Sequence, residues 1–209
     1  SGRGQSLHRE LVLWRHKPLW VKVLGGLYNG AILVRLDEPL PDLRAPTAWS
    51  GAVTAALAAL PLIDRLQIEE RGAQVTVEVV RGGVHHGYLP EVVREQLASA
   101  GVDAQVVASG HSVDVIRPET CKTAVLDAVG DVCGGAVLAV GDQGQIGGND
   151  HALLAHALFS VTVDRCSADP TRCWYLGDGQ QSGPDLLTRH LRALRPLKAG
   201  LAFTIRATP

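Results

Sequence analysis

The sequence predicts an α/β protein in which a parallel sheet, covered by helices on both faces, is interrupted by an inserted α+β unit of αββαββ type. Three observations predict it. Beyond Pro118, short apolar runs such as Ala136–Val140 and Phe159–Val163 alternate with helical segments, as strands buried on both faces of a parallel sheet require. Between Trp49 and Ile116 the order is helix-strand-strand, repeated twice, which suits a small antiparallel sheet with helices on one face. The proline-marked stretch from Glu38 to Pro46 separates the two patterns as a linker would. Residues 1–38 and 117–209 are thereby assigned to the core and residues 39–116 to the insert.

Taken in order, Gln5 to Trp14 reads as a short helix, with Leu7, Leu11 and Trp14 on one face. Val21 to Leu36 reads as extended chain broken at Gly25-Gly26 and at Asn29-Gly30, a strong turn signal. An Ala-rich helix from Trp49 to Leu60 is opened by Thr47 as its capping residue and stopped by Pro61. Ile63–Glu70 and Ala73–Val80 are strands about Arg71-Gly72, and Val75, Val77 and Val79 alternate with Thr76 and Glu78 as a half-buried strand demands. A helix from Tyr88 to Ala100 ends at Gly101, and strands Ala104–Ala108 and Val113–Ile116 follow. Then come helix Lys122–Val129, strand Ala136–Val140, a helix near Asp150–Ala157, strand Phe159–Val163, a short strand Trp174–Leu176, helix Pro184–Leu194 and a closing strand Leu201–Arg206.

Charge and composition narrow the function classes. Twenty Lys and Arg against 21 Asp and Glu leave a net charge of −1, which argues against nucleic acid as a partner. With 46% hydrophobic residues the chain can fill a core, and disorder is excluded as its main state. No apolar stretch approaches the roughly 20 residues that cross a bilayer, and Ser1–Glu10 is too polar for a signal-peptide core. Cys121, Cys133, Cys166 and Cys173 form no C-x-x-C pair and are too few for a disulfide-stapled domain, so reduced thiols and a cytoplasmic location are expected. The absence of methionine leads to the expectation of a trimmed start or a segment of a longer protein.

The stretch that carries the most chemistry is Ala136–Val140 followed by Gly141-Asp142 and, after a glycine-rich bend, Gly147-Gly148-Asn149-Asp150. A buried parallel strand delivers Asp142 to its carboxyl end, where open α/β sheets place their ligands. The glycines let the loop turn back so that Asn149 and Asp150, at the next helix N-terminus, approach Asp142. Two carboxylates there suit a hard cation such as Mg²⁺. The alternative is a surface loop in which Asp150 merely caps its helix.

With these residues in place the sequence resembles the haloacid dehalogenase-like (HAD) superfamily of Mg²⁺-dependent phosphohydrolases and phosphomutases, whose core is Rossmann-like. Gly141-Asp142 to Asn149-Asp150-His151 looks like the fourth signature motif, in the long form of phosphomannomutase-type members. Lys122, within Thr120–Leu126, matches the third-motif lysine that opens a helix ahead of that strand. Ser1-Gly2-Arg3-Gly4 looks like the second motif, and Asn29-Gly30-Ala31 resembles the turn after the third core strand, where members with a large cap insert it. The αββαββ insert fits that cap class.

What the resemblance implies is specific. Asp142 and Asp150 would hold Mg²⁺. Lys122 and the Ser1 hydroxyl would serve catalysis by stabilising nucleophile and phosphoryl group, while Gly2, Arg3, Asn29, Gly30 and Asn149 would border the substrate. The ligand would be a small phosphorylated metabolite such as a sugar phosphate. The family's nucleophile and general acid, both in an Asp-x-Asp motif, would form and resolve an aspartyl-phosphate. The 209 residues contain no Asp-x-Asp, so this motif is expected from a preceding segment or a second chain. Two alternatives stay open: a non-catalytic or split HAD-like module, and a phosphomutase, which only Gly147–His151 favours.

Other candidates have plainer readings. His85, His86 and His111 lack zinc-like spacing and read as loop histidines. Arg71, Arg81 and Arg117 could grip a charged substrate, with nothing to choose among them. Cys166 and Cys173 flank Asp169-Pro170, a turn that could bring them together as a reduced pair.

Overall fold

A computed structural model describes residues 10, 13, 17–42, 45–82, 85–109, 111–133, 137–157, 159–167, 169, 171, 173–179, 182–197 and 200–203. The expected helix Gln5–Trp14, and with it Ser1, Gly2 and Arg3, lies outside the described residues apart from Glu10 and Leu13. The chain divides into two compact units, Ser1–Val129 and Gly130–Pro209.

In the first unit a 3₁₀ segment, Lys17–Lys22, leads into strand β1 (Leu24–Leu27), which pairs antiparallel with β2 (Ile32–Arg35). The run expected as extended chain is thus a hairpin, and it begins later because Val21 and Lys22 are still helical. Its turn, Tyr28-Asn29-Gly30, takes three consecutive positive φ values of 50°, 58° and 91°. Asparagine and glycine tolerate that region far better than tyrosine does.

Helix α1 (Ala48–Ala58) starts where the sequence predicts: the Thr47 side chain accepts from the Ser50 N–H while the Ser50 hydroxyl accepts from the Thr47 N–H, a reciprocal capping box. After it, Ile63–Arg65 is a 3₁₀ turn rather than the start of a strand, and β3 (Leu66–Arg71) pairs with β4 (Gln74–Val79). Helix α2 (Leu89–Ser99), with Pro90 in its first turn and Gly101 at φ 67° beyond its end, precedes β5 (Gln105–Ala108) and β6 (Ser112–Ile116). The four strands form one antiparallel sheet in the order β3-β4-β6-β5, so the duplicated helix-strand-strand pattern is one αββαββ unit.

Strand alternation sorts this sheet into two faces. Val75, Val77, Val113 and Val115 face α1 and α2 and are fully buried with Val53, Leu57, Val93 and Leu97. The intervening residues Gln74, Thr76 and Asp114 lie on the opposite face and are buried as well, with Thr76 paired to Asp114 in the ladder. That second face is what positions the hairpin turn.

The boundary between units falls within helix α3 (Thr123–Cys133). The second unit carries a three-stranded parallel sheet of β7 (Leu138–Gln143), β8 (Phe159–Arg165) and β9 (Trp174–Tyr175), ordered β7-β8-β9. Helix α4 (His151–His156) links β7 to β8. Four successive residues of β8, Ser160 to Val163, are buried, as a central strand covered on both faces must be. Helix α5 (Gly183–Ala193) follows with Leu186 fully buried, and β10 (Leu194–Leu197) pairs antiparallel with β11 (Gly200–Phe203). The expected closing strand Leu201–Arg206, described as far as Phe203, is therefore the second arm of a separate hairpin whose first arm begins at Leu194, the expected last residue of the helix. The molecule is an α/β protein. Among the described residues no helix is long and apolar enough to cross a membrane.

Candidate active site

Of the residues singled out from sequence, Asn29, Gly30 and Lys122 lie in the first unit and Asp142, Asn149 and Asp150 in the second. Ser1, Gly2 and Arg3 lie outside the described residues.

In the first unit the hairpin turn is held by a buried polar network. Asn29, 2% exposed, donates through Nδ2 to Gln74 Oε1 at 3.0 Å and to Asp114 Oδ2 at 3.3 Å. Thr76 Oγ1 donates to Asp114 Oδ1 at 3.0 Å and accepts from Gln74 Nε2 at 2.9 Å and Arg71 Nη1 at 3.3 Å. Arg71 pairs with Glu69 and stacks its guanidinium 5.7 Å from the centre of the Tyr28 ring. Its charge is thus spent on fixing the turn.

The turn in turn abuts the start of α3. A Cβ on Gly30 would stand 2.5 Å from the Cys121 carbonyl oxygen and 3.2 Å from the Lys122 Cα, at a φ of 91°. Only glycine allows that approach. Gly30→Ala is expected to destabilise the chain by about 2 kcal/mol or more through clash and backbone strain together. A urea midpoint unchanged from wild type would contradict this packing. Lys122, half-buried, acts on the Asp114 carboxylate through its charge. Beside the turn lies a cleft of about 480 Å³, with Gly30, Thr47, Arg117 and Cys121 among its lining residues. Arg117 does not reach freely into it: its guanidinium lies 5.1 Å from the Trp49 ring centre and donates to Thr47 Oγ1 at 3.4 Å.

Burial pushes the Asp114 carboxyl above its ordinary value, while hydrogen bonds from Thr76 and Asn29 and the charges of Arg71 and Lys122 pull it partway back. The folded chain therefore holds this proton more tightly than the unfolded one. Its contribution to stability is complete below the ordinary carboxylate value of about 4 and is lost as pH rises through the folded value. Stability is expected to decline over that window in the wild type and not in Asp114→Asn. Urea denaturation at a series of pH values checks it, and equal slopes in the two proteins would refute it.

In the second unit the sequence-predicted loop does fold back. The Asp150 carboxylate, 8% exposed, accepts through Oδ2 from the Asp142 N–H at 2.9 Å and the Gln143 N–H at 3.4 Å. Asp150 makes no side-chain cap on α4, so the alternative of a simple capping aspartate does not describe it. A Cβ on Gly141 would fall 2.7 Å from that same oxygen, which is why the strand carries glycine there. Strand β7 runs on through Gly141 to Gln143, so Asp142 is the penultimate residue of the strand, with an exposed position at its carboxyl end.

The donor chemistry fits a hard cation. In the loop between Asp142 and Asp150, the side-chain oxygens Asn149 Oδ1 and Gln145 Oε1 are buried without a hydrogen-bond partner. Buried oxygen acceptors left unpaired are costly unless a donor or a cation meets them. Among the described residues no group of three or more His, Cys, Asp and Glu could hold a metal, so a cation in this loop would rely on two carboxylates with neutral oxygens. Oxygen-only sets that leave room for water suit Mg²⁺ rather than softer metals.

Sequence reasoning named the loop but missed the partners of Asn29. Their signal was an acidic or hydroxyl residue set between valines, Val113-Asp114-Val115 and Val75-Thr76-Val77, on strands whose other face is apolar.

No protein-family model matches the chain, and no curated protein matches it. Among solved structures it is similar to the sucrose-phosphatase from Synechocystis sp. PCC6803 in complex with sucrose and phosphate, at 16% identity and a TM-score of 0.47, over 78% of this chain and 62% of that one. It is similar also to a HAD subclass IIB sugar phosphatase, at 16% identity and a TM-score of 0.44, over 66% of this chain and 63% of that one. A third is the trehalose-6-phosphate phosphatase of Aspergillus fumigatus, at 18% identity and a TM-score of 0.39, over 63% of this chain and 54% of that one. The chain spans less than two thirds of the length of each of the three.

Proposed function

We propose that this chain belongs to a Mg²⁺-dependent phosphohydrolase of the HAD type that acts on a small phosphorylated metabolite such as a sugar phosphate. The observation that carries the reading is the return of Asp150 onto the Asp142 and Gln143 amides at the carboxyl end of a parallel strand, beside the unpartnered Asn149 oxygen. The ordered series of motifs, Asn29-Gly30, Lys122 and Gly141-Asp142 to Asn149-Asp150, supports it.

Asp142 and Asp150 would hold the Mg²⁺, with Asn149 as a neutral oxygen donor, and the cation when bound would offset negative charge on the phosphoryl oxygens. Lys122 would place a fixed positive charge against the phosphoryl group, where charge shifts in the transition state. Ser1, Gly2 and Arg3 would bind phosphoryl oxygens through hydroxyl and backbone N–H groups. Asn29 acts by holding the turn: with Nδ2 given to Gln74 and Asp114, its contribution is to set Gly30 against the Lys122 backbone. The nucleophilic aspartate would come from outside these residues.

Two observations favour a second reading, a HAD-like module that binds a partner or a ligand such as the cation without turnover. The sequence holds no Asp-x-Asp, and among the described residues β7 has β8 as its sole ladder partner. The discriminating experiment is phosphate release by the full-length protein from a panel of sugar phosphates, with Mg²⁺ and with a chelator. Release that requires Mg²⁺ is expected. Release indifferent to chelation, or none from any substrate, would contradict the enzymatic reading, and cation binding without release would select the second.

A further inference from the structure

The segment joining β8 to β9 brings two thiols together. Cys166 Sγ donates to the Cys173 carbonyl oxygen at 2.7 Å, which sets the two cysteines side by side. The described residues between them already make local turn-forming bonds. Asp169 Oδ1 accepts from the Thr171 N–H at 2.9 Å and from its hydroxyl at 2.6 Å, and Ser167 Oγ accepts from the Asp169 N–H at 3.2 Å. Closing this segment covalently therefore costs little further ordering.

The two thiols differ in access. Cys166 is partly exposed, whereas Cys173 is 1% exposed and burial pushes its thiol up from the ordinary value. Both ends of the segment also touch Gly144, in the loop between Asp142 and Asp150. The Gly144 N–H donates at 2.9 Å to the Arg165 carbonyl beside Cys166, and a Cβ on Gly144 would stand 3.2 Å from Cys173 Sγ.

We propose that Cys166 and Cys173 form a reversible disulfide, with Cys166 the attacking thiol and Cys173 the resolving one, and that its closure alters the packing of the Gly144 loop. The oxidant is a low-molecular-weight disulfide such as oxidised glutathione. The Cys166 thiolate attacks one of its sulfurs and expels a first thiolate, which takes up the Cys166 proton. Cys173 then loses its proton, attacks Cys166 Sγ and expels the second thiolate. Two protein S–H bonds become one S–S bond and the oxidant leaves as two thiols.

The test is on the full chain in oxidised and reduced glutathione mixtures. Trypsin cuts after Arg165 and Arg172, so the disulfide appears as Cys166–Arg172 linked to the peptide that begins at Cys173. That linked pair, reversible by dithiothreitol, is expected, together with alkylation of Cys166 at least about tenfold faster than of Cys173 in the reduced chain. Cys173→Ser should accumulate a glutathione adduct on Cys166, and Cys173→Ala repeats the arm should the hydroxyl impair folding. Separate glutathione adducts in the wild type with no linked pair, or equal alkylation rates, would overturn the assignment. Amide exchange across 144–150 should differ between the reduced and oxidised chains, and unchanged exchange would overturn the coupling to the loop.

Discussion

Asp150→Ala is expected to abolish Mg²⁺-dependent phosphate release and to loosen the second unit at the same time. The Asp150 carboxylate is buried and meets two backbone N–H groups of the strand end. A hydrogen bond to a charged acceptor contributes about 1.5–3 kcal/mol, and here both donors would be left facing a methyl group. A loss of about 2–4 kcal/mol follows for Asp150→Ala, read as a lower urea midpoint. Asp150→Asn separates the two roles. Its amide oxygen can still accept from Asp142 N–H, so the loop keeps most of its stability, while the missing charge lowers cation affinity by about tenfold or more. Equal phosphate release by Asp150→Asn and wild type at limiting Mg²⁺ would contradict the role given to the carboxylate.

Lys122→Ala is expected to lower kcat for phosphate release by about 10²–10³-fold, the scale found when one preorganised charge or donor is removed from a transition state. Little loss of stability should accompany it. Lys122 is half-buried at the start of α3, and the turn beside it is fixed by Gly30 against backbone atoms, which the substitution leaves in place. One structural side effect is expected: with the Lys122 charge gone, the Asp114 carboxyl rises further, since that charge is among those pulling it down. Phosphate release at an unchanged rate, with the fold confirmed by circular dichroism, would remove Lys122 from the chemistry.

How much could be read beforehand follows from the range of the forces involved. Helix α1 and its Thr47 cap were legible because the capping box is closed within four residues. Strand β8 was legible from its valines, but its burial on both faces was not, because Ser160 and Thr162 alternate with them and are buried by donating to the Leu154 and Arg165 carbonyls. Local signals misled where they stood against tertiary pairing. Gly141 reads as a strand end, yet the ladder to β8 carries β7 through it. Pro196 argues against a strand, yet β10 is tolerated in a two-stranded hairpin in which every strand is an edge.

The candidate site divides in the same way. That Asp150 returns to the Asp142 strand end was readable from eight residues of spacing and their glycines. The choice between capping and back-bonding was not, because both use the same carboxylate at the same position. The commitment of Asn29 to Gln74 and Asp114, 45 and 85 residues away, leaves no local trace at all.

On the proposed function, Asp142 and Asp150 together hold a divalent cation. Isothermal titration of Mg²⁺ into the full-length protein tests it most directly, with the Asp142→Asn, Asp150→Asn double variant alongside. A single saturable site in the wild type that the double variant lacks is the predicted result. Identical Mg²⁺ isotherms for the two proteins would contradict the claim.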